Sequence, residues 1–265
     1  MNNIKYIFFI VIGILIITSS FKSERFNINP NGLNSFDKIL YINLEHRKDR
    51  KKQILSELKK IGIINNKLKR IDAVREKYNG HIGCCKSHIK ALEYAKGKNY
   101  NHVIILEDDF IFTKPKKEVD ISINKFISDY KENWDVIMLT TVYKNLEKID
   151  NIDYIKHVNS ATTSSGYIIQ KHFYDKLIGK LTFCLKKMEE EMKEWSKTNI
   201  GKKKNETSWA LDQCWSDLQK KSRWYIFDPY LGKQGGDAGN SSIMGGIETF
   251  INFFSKKELF YNINV

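Results

Sequence analysis

The chain has 265 residues, of which 42% are hydrophobic, 28% charged and 12% aromatic. That balance supports one large buried core and excludes disorder over most of the length. Three prolines exclude Pro-rich linkers and collagen-like repeats, and four cysteines exclude a disulfide-scaffold mini-protein. The net charge is +13, but the lysines are dispersed, not drawn into one stripe, so nucleic acid is not the expected partner.

Residues 6–21 form an uncharged, mostly apolar run between Lys5 and Lys22. As a helix it spans about 24 Å at ~1.5 Å per residue, slightly under a bilayer core. The reading is a signal anchor over residues 1–22, with a cleaved signal peptide as the alternative. An Asn-rich stem over 23–36 leads to a body at 37–265. The expected location is a single-pass membrane protein with the body translocated or lumenal, or a secreted one. Asn205-Glu206-Thr207 and Asn240-Ser241-Ser242 are glycosylation sequons.

Residues 38–44 read as a buried strand and 49–61 as an amphipathic helix closed by Gly62. A second strand is expected at 69–73 and a helix at 84–96. Val103 to Leu106 is a sharp strand signal running into Glu107-Asp108-Asp109. Ile123, Phe126, Ile127 and Tyr130 mark a helix, and strands follow at 135–139 and 166–169. A helix carries Phe173 and Leu177, and another carries Leu185, Met188, Met192 and Trp195. Gly201 to Asn205 reads as an exposed loop. Ser208 is positioned to cap a helix through Leu218, 224–227 is a last strand, and 232–246 is glycine-rich. Alternating strands and helices predict an α/β architecture with a mostly parallel central sheet and ligands beyond the strands' carboxyl ends.

Cys84 and Cys85 are adjacent and not expected to bridge each other. Cys184 and Cys214 fall in helical segments, with their pairing open. The absence of a Cys-x-x-Cys spacing argues against a zinc site.

The acidic tripeptide is the most informative feature. Carboxylates at a strand end, together with phosphate oxygens, suit Mn²⁺ or Mg²⁺. The plainer reading is a solvated acidic turn. A haloacid-dehalogenase-type phosphatase wants Asp-x-Asp-x-Thr, and Glu107, Asp109 and Ile111 fit that poorly. Walker, Gly-x-Gly-x-x-Gly and Gly-x-Ser-x-Gly elements are absent.

Four pieces line up in order: residues 41–50 (Tyr-Ile-Asn-Leu-Glu-His-Arg-Lys-Asp-Arg), 83–88 (Gly-Cys-Cys-Lys-Ser-His), 104–109 (Ile-Ile-Leu-Glu-Asp-Asp) and 163–169. This order resembles glycosyltransferase family 25, which includes bacterial lipooligosaccharide galactosyltransferases and collagen hydroxylysine galactosyltransferases. The resemblance runs over about residues 37–243. Arg47 and Arg50 fit its opening pattern after Ile-Asn-Leu; Gly83, Cys84, Ser87 and His88 fit the second element; Leu106 to Asp109 fit the third without change. Asp212, Pro229, Gln234 and Ser242-Ile243 are counterparts farther on, whereas Gly235 to Asn240 departs from the family's tail.

The resemblance implies a glycosyltransferase A-type nucleotide-sugar-binding fold and a catalytic domain at 37–265. It implies transfer of galactose or glucose from a UDP-sugar, with inversion, to a glycan or to hydroxylysine of a collagen-like protein. Asn43, Arg47, Arg50, Ser87 and His88 are then the donor-binding candidates. Glu107, Asp108 and Asp109 are the Mn²⁺ (or Mg²⁺) candidates. Asp212 is the candidate base, with Asp237 as second choice and Trp209 as a stacking surface for sugar. Cys84 reads as a packing residue, not a nucleophile. The alternative is a catalytically silent relative that keeps the fold as a glycan-binding or adhesion module.

Overall fold

The computed structural model describes residues 31–142 and 144–235. The anchor and most of the stem, Asp237, the Asn240 sequon and Ser242-Ile243 lie outside the described residues. In chain order the elements are β1 (Lys38–Asn43), α1 (Lys48–Lys60), β2 (Leu68–Asp72), α2 (Gly80–Gly97), β3 (His102–Glu107), β4 (Phe110–Phe112), α3 (Lys116–Tyr130), β5 (Val136–Met138), β6 (Lys144–Ile149), β7 (Ile152–Ala161), β8 (Gly166–Gln170), α4 (Tyr174–Thr198), α5 (Leu211–Cys214), α6 (Ser216–Lys220), β9 (Trp224–Phe227) and β10 (Gly232–Gln234).

Eight strands form one sheet in the order β2-β1-β3-β8-β5-β9-β7-β6, and β4 pairs with β10 in a small separate sheet. Six of the eight strands point the same way; β8 and β7 are reversed and supply the antiparallel contacts. The expected α/β class with a largely parallel direction is met. The helices cover both faces. Leu40, Ile42, Val103 and Ile105 pack with α2 and α4 on one face, while Ile39, Tyr41, Ile104 and Leu106 pack with α1 and α3 on the other. Burial on both faces is why β1 and β3 read as unbroken apolar runs.

Several boundaries differ from expectation for local reasons. Helix α2 starts at Gly80, four residues early, because the Asn79 side chain accepts from the backbone N–H groups of His81 and Ile82. The two helices expected over 173–195 are one 25-residue helix, α4. The segment expected as one helix from Ser208 is two short ones, broken at Trp215. The hairpin β6–β7 has no counterpart in the sequence reading. Its first strand, Lys-Asn-Leu-Glu-Lys-Ile, is mostly exposed, and its turn is only Asp150-Asn151, with Asn151 at φ +61°. Gly62 adopts φ +71° after α1, as a left-handed helix stop requires.

A disulfide joins Cys184 of α4 to Cys214 of α5, settling the pairing. Cys84 and Cys85 are free thiols. Among the described residues no helix is long and apolar enough to cross a membrane.

Candidate active site

Strand register builds the site. Strands β1 and β3 run parallel with Ile42 opposite Glu107, so Asn43 and Asp108 leave the sheet side by side. The Asn43 Nδ2 donates to Asp108 Oδ2 at 2.7 Å and to the Arg47 carbonyl at 3.1 Å. Strand β8 is antiparallel to β3, which brings Ser164 and Ser165 beside the end of β3. The β4–β10 pair sets Gln234 opposite Phe110, next to Asp109.

A cleft of about 510 Å³ opens over this edge. Its walls include Asn43, Arg50, Ser87, His88, the three acids Glu107 to Asp109, Lys203 and Gln234. Arg50 turns from the first turn of α1 into the cleft, 3.2 Å from Asp108 Oδ1 and 3.6 Å from Asp109 Oδ2. Arg47 does not share that orientation: it precedes α1 and forms an ion pair with Asp49 at 2.7 Å. Of the two arginines named as donor-binding candidates, Arg50 reaches the acids of the cleft, while Arg47 sits at the helix cap beside Asp49.

The three carboxylates split into two environments. Asp108 and Asp109 face Arg50. Glu107 instead accepts from the Ser164 hydroxyl at 2.5 Å and lies 3.3 Å from His88 Nε2. Burial raises the Asp108 carboxyl above its usual range despite Asn43 and Arg50. Burial and the adjacent Glu107 charge push Asp109 up to about 7. Burial also opposes ionisation of Glu107, but the bonds from His88 and Ser164 outweigh it and leave its pKa lowered.

Asp109 Oδ1 and Asn43 Oδ1 are buried and have no hydrogen-bond partner among the described residues. Two unpartnered oxygens beside two buried carboxylates match the all-oxygen ligation of Mn²⁺ or Mg²⁺. The residues present therefore fit a divalent cation carried by Asp108 and Asp109.

The other candidates occupy distinct places. Ser87 lines the cleft, but its hydroxyl donates to the Gly83 carbonyl at 2.6 Å and accepts from the Val74 N–H at 2.8 Å, clamping α2 to the loop after β2. Gly83 allows this approach, since a Cβ there would lie 2.5 Å from the Val74 carbonyl. His88 is fully buried between Tyr167, 3.0 Å from Nδ1, and Glu107. Asp212 is not among the residues lining the cleft. Its Oδ2 accepts from the Thr163 N–H at 2.9 Å, and burial raises its pKa. Trp209 packs edge-on against Phe183 at 5.8 Å and does not line the cleft either.

Thr163 is the residue that sequence reasoning did not weigh. It holds φ +76°, unusual for a β-branched residue, and its hydroxyl donates to Gln234 Oε1 at 2.9 Å. Its only sequence signal was membership of the 163–169 stretch.

The model of a family described as glycosyltransferase family 25 (LPS biosynthesis protein) matches residues 63–192. Residues 63–192 are a family 25 glycosyltransferase segment. The chain is accordingly a glycosyltransferase enzyme. The family 25 match takes in Cys84, Ser87, His88 and all three acids, and leaves Asn43, Arg50 and Asp212 outside it. No curated protein matches the chain. Among solved structures, UDP-glucose pyrophosphorylase complexed with UDP-glucose is similar at 9% identity and TM-score 0.43, over 84% of this chain and 99% of that one. A197 from STIV is similar at 12% identity and TM-score 0.39, over 74% and 83%. A glycosyltransferase involved in glycosylation of the major capsid of PBCV-1 is similar at 11% identity and TM-score 0.33, over 72% and 92%. Likeness at this level says nothing of what this chain binds.

Proposed function

We propose that this family 25 glycosyltransferase moves a hexose, galactose or glucose, from a UDP-sugar to a hydroxyl of a glycan or of hydroxylysine, with inversion and with Mn²⁺ or Mg²⁺. The observation that carries the reading is the group Asn43–Asp108–Arg50–Asp109 at the carboxyl ends of β1 and β3, with the buried Asp109 Oδ1 without a hydrogen-bond partner among the described residues. Asp108 and Asp109 would hold the cation, which would supply positive charge to a departing diphosphate. Arg50 adds a second positive group there, and Asn43 fixes Asp108 so that its carboxylate keeps one orientation.

Inversion in one displacement forms the bond from acceptor oxygen to anomeric carbon as the bond to UDP breaks, and the acceptor proton needs a base. Asp212 takes that role in this reading. Its raised pKa brings its proton affinity toward the working pH, and the Thr163 N–H holds the carboxylate in place. Transfer then needs the acceptor to reach Asp212 from the cleft, which makes the loop through Thr163 part of the acceptor side. The Cys184–Cys214 bond suits a translocated, oxidising location for the body, reached through the apolar N-terminal run.

The test is UDP release from UDP-galactose and UDP-glucose by the metal-free chain, with and without Mn²⁺ and with a pooled acceptor panel. Metal-dependent release confined to one sugar is expected. Absence of both UDP release and UDP–Mn²⁺ binding would overturn the reading.

A further inference from the structure

Behind the acidic turn lies a second group of donor atoms with a different chemistry. Cys84 and His88 stand one turn apart on α2, so their side chains leave the same helix face. That face meets the end of β3. One sulfur, one imidazole nitrogen and one carboxylate oxygen, from Cys84, His88 and Glu107, all lie within 4.8 Å of one another. The three residues line the cleft, so an ion has a path to them.

We propose that Cys84, His88 and Glu107 form a second cation site, for a thiophilic divalent ion of the zinc type, with its fourth position open to the cleft. The donor set decides the ion. Thiolate and imidazole select zinc-like ions, whereas magnesium and manganese take oxygen ligands, as at Asp108 and Asp109. Bonds of roughly 2.0–2.3 Å in tetrahedral array put donor atoms about 3.3–3.7 Å apart, so this group closes on an ion by side-chain adjustment alone. His88 Nε2 already sits 3.3 Å from Glu107 Oε1. The other ring nitrogen is held by the Tyr167 hydroxyl at 3.0 Å, the outer partner that a ligating imidazole needs for a fixed tautomer. The Ser87 hydroxyl clamps this turn of α2, so the ligands come from two rigid elements. Sequence spacing alone argued against zinc because it looked for paired cysteines. The fold instead supplies one thiol, with ligands from helix and strand. Binding exchanges the thiol proton for the metal; the proton goes to solvent and no electron moves.

The test titrates the reduced-thiol, metal-free, full-length chain with Co²⁺ and then Zn²⁺. Near one equivalent of Co²⁺ should bind with a thiolate-to-metal charge-transfer band in the near ultraviolet, and Zn²⁺ should displace it. Cys84→Ser should abolish the band while circular dichroism stays unchanged. Tyr167→Phe keeps all three ligands and should weaken Zn²⁺ binding by about 10–100-fold. Asp109→Asn should keep the band, which separates this site from the one proposed for the donor's cation. No charge-transfer band in the unaltered chain, or a band that survives Cys84→Ser, overturns the assignment whether or not the chain turns over UDP-sugars.

Discussion

Gln234 is hydrogen-bonded to Asp109, its Nε2 donating to Oδ2 at 3.3 Å. Its Oε1 accepts from the Thr163 hydroxyl, and the Thr163 N–H donates to Asp212. A single chain of bonds thus runs from the carboxylate proposed for the cation to the carboxylate proposed as base. Its middle link, Gln234, belongs to a strand, β10, that lies beyond the family 25 match.

That bridge is testable through Gln234→Ala. The side chain is exposed, so the net worth of its bonds is modest, about 0.5–1.5 kcal/mol. Transfer should fall roughly 2–12-fold at saturating UDP-sugar. A shift of the Mn²⁺ activation curve to higher concentration should accompany the loss. An unchanged curve would show that Gln234 does not position Asp109.

Asp109→Asn should abolish transfer and reveal the electrostatic load on this position. Burial beside Glu107 raises the folded pKa to about 7, above the ordinary 3.8. A raised carboxyl pKa means ionisation opposes folding, so stability is lost as pH climbs from about 4 through 7. In metal-free protein, the variant should therefore melt higher than the unaltered chain at pH 8. The two should converge near pH 4. Thermal melts at both pH values check this.

Asp212→Asn separates base catalysis from binding. Loss of a general base costs typically 10²–10⁴-fold in rate, roughly. The expected pattern is a fall of that order in kcat with UDP–Mn²⁺ affinity unchanged in a calorimetric titration. A variant with full turnover would remove Asp212 from the mechanism.

The Cys184–Cys214 disulfide closes a loop with a sequence separation of 30. Constraining a loop of that length contributes about 3–4 kcal/mol by the chain-entropy account. The Cys184→Ser/Cys214→Ser double variant should lose stability of that order in urea unfolding, with α5 and Asp212 less firmly held. A loss below 1 kcal/mol, roughly, would mean the reduced chain already keeps these helices together.

Asp135 gives a second pH signature away from the cleft. Burial opposes its charge, but hydrogen bonds from Arg223 and His172 prevail and hold its pKa below 3.8. A lowered carboxyl pKa contributes stability above the unfolded value, and that contribution is lost as pH falls through the folded one. Asp135→Asn should destabilise the chain more at pH 6 than at the lowest pH, below 3.8, at which the chain stays folded. Equal destabilisation at both would assign the effect to lost packing instead.

Much of the molecule was legible in the sequence wherever burial is two-sided. Strands β1 and β3 are continuous apolar runs because helices cover both faces, and such runs announce themselves. The acidic turn stood out in the sequence because three carboxylates directly follow a buried strand, although a solvated turn was the plainer reading of them. Strand β6 was not, since a half-exposed strand of lysine, asparagine and glutamate carries no apolar alternation. The division of labour among the acids was also hidden. Only the antiparallel entry of β8 brings Ser164 to Glu107 and turns that carboxylate away from Asp108. The Thr163–Gln234 contact joins residues 71 apart, a separation that no local pattern encodes.

The two outermost strands of the large sheet, β2 and β6, have one further consequence. Among the described residues no further strand pairs with either, and such edges invite another chain to add a strand. Strand β2 carries Lys69 and Arg70 against Asp72, and β6 carries Lys144 and Lys148 against Glu147. Both rims are thus net cationic, and a second copy offering either edge would meet like charge. The basic excess of the chain so acts as a guard against self-assembly through the sheet, and high salt, which screens that repulsion, is the condition under which concentrated solutions should begin to aggregate.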